Sequence, residues 1–477
     1  MQLSTKVAYN TLIQIISKII ATALGLVAVA MMTRYLGKEG FGQYTAIITF
    51  LSFFGIMADL GLTLVTVQMI SKPNINQDKI LGNLFSLRLI SALVFLGFAP
   101  LVVLFFPYNP IIKIGVAIAT GSFLFVALNQ ILVGLFQKNL RMDKVSIAEV
   151  ANRIILVVGI YIVYKIDKGL IGLVVVTVLS SAVSFILHYI FSRSFARLKL
   201  CFNLDIYKEI LKKSWPLALT IFFNLLYLKT DTLLLTIIKR PSEIGIIAEV
   251  GLYGAAYKVI DILITFPFMF AGIILPILTL RWSNKDNEGF KKILQKSFDI
   301  LMIMAVPLVV GTQFLAKKIM VLVAGQEFAA SGAILQILIL AAFFIFFGNM
   351  FSHAIIAINK QKKLIWLYVF VAITSVAGYF IFIPRFSYFG AAWMTIYSEL
   401  LVAFGSTIIA WKLIGFFPNF KVFTKSLLAS IIMGVTLYFL KINNLVINLS
   451  VAILVYGFFL YLFRGLTKKD VLILFNK

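Results

Sequence analysis

Long apolar runs are the feature that most constrains the fold of this chain. Fourteen segments of mostly apolar residues follow one another, and roughly 20 such residues form a helix long enough to cross a bilayer. Composition agrees, because 61% of the 477 residues are hydrophobic and 13% are charged, unlike a typical soluble domain. We therefore expect an all-α polytopic membrane protein with about 14 transmembrane helices. The predicted spans are 10–33, 41–69, 82–106, 111–136, 147–164, 170–191, 214–238, 250–280, 298–324, 332–358, 364–383, 388–414, 423–440 and 445–464.

Basic residues in the loops predict the orientation of the chain. The loops 192–213 and 281–297 are rich in lysine and arginine, and such loops stay on the cytoplasmic side of a membrane. Both termini are therefore predicted to be cytoplasmic. The net charge of +25 follows from this bias, so no nucleic-acid partner is expected.

Charged side chains inside the spans are the first candidates for function. Because a charge at the bilayer centre costs at least ~2.5–3.5 kcal/mol, it normally faces a partner or a water-filled cavity. Lysines and aspartates occur in spans 1, 2, 7 and 8, and a polar ligand is expected to bind or pass there. These six residues are Lys18, Asp59, Lys229, Asp231, Lys258 and Asp261.

A short motif indicates an internal repeat. The segments 42–46 and 251–255 both read G-x-Y-x-A, and each opens the second span of a six-span block. Both blocks enter the membrane from the same side, which predicts two parallel repeats. The predicted domains are a six-helix lobe at 1–200, a second six-helix lobe at 201–416 and a two-helix hairpin at 417–477.

Several other residues have candidate roles. Pro267 and Pro276 both lie in span 8, where each removes a backbone donor and is a candidate hinge. Glu399 in span 12 has no obvious partner in the pattern. The pattern contains no metal-ligand cluster, no phosphate-binding glycine loop and no nucleophile triad, so we expect neither an enzyme nor a bound metal or cofactor.

The turn between spans 1 and 2 resembles a known family. Residues 33–44 read TRYLGKEGFGQY, which resembles the R-x-L-G-x-x-x-(F/Y)-G-x-Y signature of Wzx-type polysaccharide-biosynthesis flippases. These proteins belong to the multidrug/oligosaccharidyl-lipid/polysaccharide (MOP) superfamily. Residues 249–253, which read EVGLY, resemble the matching turn of the second half.

The resemblance implies a fold and a function. The fold would consist of two MATE-like lobes around a central cavity lined mainly by spans 1, 2, 7 and 8. The function would be to move polyprenyl-diphosphate-linked glycans, such as O-antigen units, across the bacterial inner membrane by alternating access. Implied partners are the lipid-linked glycan, the bilayer, a polysaccharide polymerase and a chain-length regulator, with the chain acting as a monomer.

Two roles for the six charges remain open at this point. In one, Lys18, Lys229 and Lys258 contact the anionic head group, while Asp59, Asp231 and Asp261 balance the lysines or carry a coupling H⁺ or Na⁺. In the other, all six form structural ion pairs between helices.

Two other functions also remain open. A cation or drug antiporter on the same fold would favour an acidic pocket. A membrane polysaccharide polymerase or glycosyltransferase would require a larger polar loop or domain than this chain offers.

Overall fold

The computed structural model describes residues 3–71, 76–440, 442 and 444–465. Within these ranges the chain forms thirteen α-helices and two short 3-10 helices, with no strand. The prediction of an all-α polytopic membrane protein is confirmed. Eleven of the described helices are long and apolar enough to cross a membrane. The α-helices are α1 (Leu3–Asp59), α2 (Leu62–Ile70), α3 (Gln77–Val102), α4 (Pro110–Lys138), α5 (Met142–Ile166), α6 (Gly169–Ser192), α7 (Leu204–Ile237), α8 (Ile246–Ser283), α9 (Asn287–Ala324), α10 (Ser331–Ala357), α11 (Lys362–Ile414), α12 (Lys421–Phe439) and α13 (Leu445–Leu462).

Two of these helices each cover two predicted spans. Helix α1 turns at Gly37, where φ is 63°, and α11 turns at Ser387, where φ is 50°. A positive φ is incompatible with a continuing right-handed helix, so each residue separates two helical segments. The predicted number of fourteen spans is consistent with this arrangement and stays a prediction.

The predicted span 41–69 is not one continuous helix. It breaks between α1 and α2, because Leu60 and Gly61 take φ values of 47° and 73°. Both values lie in the left-handed region, which glycine adopts without strain and leucine adopts rarely. The apolar pattern runs unbroken through this point, so hydropathy alone gave no sign of the break.

The chain forms two compact units, Met1–Gly254 and Ala255–Lys477. In the first unit, one core cluster joins α1 to α3, α4 and α6 through fully buried aliphatic and aromatic side chains. A second cluster surrounds α2 and includes residues after α6. Representative members are Ile47, Phe50, Leu51 and Val116 in the first cluster, and Leu62, Leu84 and Ile131 in the second.

The second unit has a phenylalanine-rich core. Phe290, Phe298 and Phe351 are all fully buried where α9 packs against α10, and Ala403 of α11 closes the cluster. A smaller cluster joins α9 to α12 and α13. The predicted domains 1–200, 201–416 and 417–477 remain a prediction, and residues 466–477 lie outside the described residues.

Candidate functional site

The six predicted site residues occupy different environments. Lys18 on α1 is exposed, and Lys229 on α7 is half-buried. Asp231 is fully buried, and its charge interacts electrostatically with that of Lys229. Lys258 and Asp261 on α8 keep 42% and 34% side-chain exposure. Their i, i+3 spacing predicts one helical face, and the Nζ–Oδ2 distance is 3.8 Å.

Asp59 forms a buried ion pair with Arg88 of α3. Arg88 is 3% exposed, and its Nη1 lies 2.5 Å from Asp59 Oδ1. Thr63 Oγ1 donates a second hydrogen bond of 2.6 Å to the same carboxylate oxygen. The charged partner of Asp59 is therefore Arg88.

Arg88 also stabilises the end of α1 at the break before α2. The last carbonyl groups of a helix have no partner within that helix. Arg88 Nη1 donates to Ala58 O at 3.1 Å, and Nε donates to Ala127 O of α4 at 3.0 Å. One buried guanidinium therefore joins three helices at the point where the span is interrupted. Arg88 lies inside predicted span 82–106, but it was not among the six charges.

Asp231 is held by the tyrosine of the second repeat motif. Tyr253 Oη donates to Asp231 Oδ2 at 2.6 Å, and both residues are 0% exposed. Thr232 Oγ1 donates to Asp231 Oδ1 at 3.1 Å. The motif tyrosine thus ties α8 to α7 through a buried hydrogen bond.

The two G-x-Y-x-A motifs meet at a close helix crossing. A Cβ atom placed on Gly42 would overlap the carbonyl oxygen of Ile247, and one on Gly251 would overlap that of Lys38. Each carbonyl lies four residues before the glycine of its own motif, so the contact is pseudo-symmetric. The crossing needs glycine at both positions, as in small-residue packing of membrane helices.

A second buried ion pair, between Arg240 and Glu249, is close in sequence to the second motif. Arg240 Nη2 and Nε donate to Glu249 Oε2 at 2.6 and 2.9 Å. Arg240 Nη1 also donates to Leu235 O and Ile238 O at 2.8 and 3.0 Å. The pair closes the end of α7 and fixes the first turn of α8. The residue pattern gave no signal for it, because the two partners come from a loop and a helix start.

The two candidate hinge prolines both lie within α8. Pro267 is buried and Pro276 is exposed. The Nδ2 atom of Asn349 on α10 donates to Pro267 O at 2.6 Å. A hinge role for either proline stays a prediction.

Comparison with known proteins identifies the family. A family model described as polysaccharide biosynthesis protein matches residues 7–282, which is more than half of the chain. The chain belongs to the polysaccharide biosynthesis protein family. It is also 26% identical over 297 residues to the capsular polysaccharide biosynthesis protein CapF of Staphylococcus aureus, covering 61% of this chain and 72% of CapF.

Solved structures show the fold of this family member. The lipid II flippase MurJ in an inward closed conformation matches with a TM-score of 0.78 and 18% identity, covering 96% of this chain and 99% of MurJ. An inward-facing MATE family multidrug resistance transporter matches with a TM-score of 0.70 and 14% identity, covering 85% and 98%. A MOP superfamily transporter from Pyrococcus furiosus matches with a TM-score of 0.60 and 14% identity, covering 86% and 95%. The predicted MATE-like, all-α fold is confirmed.

Proposed function

We propose that this protein is a flippase that moves polyprenyl-diphosphate-linked oligosaccharide or polysaccharide repeat units across the bacterial cytoplasmic membrane. The observation that carries the proposal is the combination of a polysaccharide biosynthesis family match at residues 7–282 and a MurJ-like fold over 96% of the chain. The transport cycle would be alternating access between the two membrane faces. Both termini would lie in the cytoplasm, as the basic loops indicate.

The three lysines among the candidate site residues favour an anionic ligand. Lys18 is exposed, Lys258 keeps 42% side-chain exposure, and Lys229 is half-buried. A lysine ammonium binds a diphosphate as a mobile point charge with three donors. We infer that these three lysines contact the diphosphate or acidic sugars of the substrate.

The lysine variants test this proposal. Lys18→Gln, Lys229→Gln and Lys258→Gln should each reduce export of surface glycan about tenfold to hundredfold, the effect of losing one hydrogen bond to a charged group. Lys360→Gln is the matched control, since Lys360 is an exposed lysine between α10 and α11. Surface glycan is measured by immunoblot in a deletion strain that expresses each variant at equal membrane level. Normal export in all three site variants would show that these lysines do not contact the ligand.

A cation or drug antiporter is the second candidate function, because a MATE transporter matches with a TM-score of 0.70. A cationic ligand would be repelled by three lysines in the proposed site. Drug susceptibility of the deletion strain separates the two functions. We expect unchanged susceptibility together with lost surface glycan.

The proposed partners follow from the proposed substrate. A flipped repeat unit is the substrate of a polymerase on the outer face, and a chain-length regulator would act after it. We propose that the flippase itself acts as a monomer.

A further inference from the structure

A buried acid in the second unit differs from the predicted site residues. Glu399 lies on α11, near the middle of the stretch between Ser387 and Ile414. It is 4% exposed. Its Oε1 atom is buried and has no hydrogen-bond partner within the described ranges.

The three aspartates of the candidate site are compensated, each in its own way. Asp59 has Arg88 at 2.5 Å, Asp261 has Lys258 at 3.8 Å, and Asp231 accepts a 2.6 Å hydrogen bond from Tyr253. Each carboxylate therefore has a nearby cation or donor that stabilises its ionised form. Glu399 has neither in the part of the chain that the structure describes.

The titratable groups on α10 and α11, which pack together, decide whether Glu399 has a counter-charge. Tyr368, on the first half of α11, interacts electrostatically with Glu399, and its hydroxyl is hydrogen-bonded to Ser352 of α10. Helix α10 packs along α11, and its sequence contains one titratable residue, His353. The Nδ1 atom of His353 is already engaged with Asn349 O at 2.8 Å.

The basic residues of α11 lie away from Glu399 along the helix. Lys362 and Lys363 open the helix, Arg385 adjoins the Ser387 turn, and Lys412 lies in the last turn. A buried carboxyl group without a counter-charge avoids the penalty of ionisation by holding a proton. A metal cation instead requires several oxygen ligands, and the described residues contain no group of three or more acidic, histidine or cysteine residues that could hold one.

We propose that Glu399 is the proton-binding site of this protein and that proton uptake and release there drives its transport cycle. The location is suited to this role, because an ionisable residue within a membrane span marks an ion or proton path in many pumps and transporters. The coupling part of the proposal rests on the proposed transport function. The proton site itself does not depend on the identity of the substrate.

Infrared spectroscopy tests the site directly. Purified protein in nanodiscs is titrated with acid and base, and the C=O stretching band of a protonated carboxylic acid is followed in difference spectra. Glu399→Gln should remove a band present in the wild type. Glu327→Gln is the matched control, because Glu327 is exposed, and it should leave that band unchanged.

Further variants make the test decisive. Glu399→Asp keeps an acid at the position and should shift the band rather than remove it, which gives an answer even if Glu399→Gln does not fold. A band that is identical in wild type, Glu399→Gln and Glu399→Asp would overturn the proposal. Loss of the band on adding Na⁺ at constant pH would also overturn it, since the site would then hold a metal cation.

Glycan export separates this proposal from the proposed function. If Glu399→Gln loses both the band and export while Glu327→Gln keeps both, the proton site and its coupling role are supported. If the band is lost but the deletion strain exports glycan normally, the proton site stands and the proposed function fails. If the band is lost and Glu399→Gln exports glycan at the wild-type rate, the coupling role is overturned.

Discussion

At the scale of single residues, buried carboxylates in the first unit are held by side chains from neighbouring helices. Asp59 and Asp231 are both buried, and their main partners are Arg88 and Tyr253. Sequence spacing identified the two aspartates as membrane-embedded charges, because that property depends only on the surrounding apolar run. It did not identify Arg88 as a partner, since a contact between helices depends on how they pack.

Removing one member of the Asp59–Arg88 pair should destabilise the protein strongly. Arg88→Met leaves Asp59 buried without its cation and leaves Ala58 O without its donor, and loss of one partner of a buried pair costs about 3–5 kcal/mol. Lys213→Met is the control, because Lys213 and Glu209 form an exposed i, i+4 pair that contributes about 0.3–0.5 kcal/mol. The unfolding temperature in detergent should therefore fall much further for Arg88→Met than for Lys213→Met. Equal effects of the two substitutions would contradict a structural role for the pair.

At the scale of helices, apolar runs predicted the elements well but not their interruptions. The long run at 298–324 contains Pro307 and two lysines, yet α9 continues unbroken through them to Ala324. The run at 41–69 contains no proline, yet it breaks at Leu60 and Gly61. Hydropathy reports whether a segment suits the bilayer. The path of its backbone depends on neighbours such as Arg88 that bind carbonyl groups left without a partner inside their own helix.

The crossing of the two repeat motifs should be intolerant of a methyl group. Gly42→Ala forces the α1 and α8 backbones apart, because its Cβ overlaps Ile247 O, and overpacking typically costs about 1–3 kcal/mol. Gly97→Ala is the matched control, since a Cβ on Gly97 meets nothing within 4 Å and alanine favours helix by roughly 0.5–1 kcal/mol. We expect a lower unfolding temperature for Gly42→Ala and an unchanged or higher one for Gly97→Ala. A Gly42→Ala protein as stable as Gly97→Ala would show that the helices do not meet closely there.

At the scale of the whole molecule, the fold class and family were predictable because they rest on long-range regularities. Span length, loop charge and the turn motif at 33–44 can each be recognised even when the predicted helix boundaries are wrong by several residues. The candidate site was predictable only in part. The roles of Lys18, Lys258 and Asp261 in the site stay predictions. The ion pair of Asp59 with Arg88 and the lack of a hydrogen-bond partner for Glu399 Oε1 among the described residues both depend on tertiary packing.

The most direct test of the flippase proposal is the leaflet in which the lipid-linked glycan resides. In a deletion strain without a second homologue, a membrane-impermeant lectin is applied to spheroplasts and to inside-out vesicles. The proposal predicts that lipid-linked glycan accumulates in the cytoplasmic leaflet, so that only inside-out vesicles bind the lectin. Expression of the wild-type protein should restore lectin binding on spheroplasts. The same distribution of glycan between the leaflets with and without the protein would contradict the proposal.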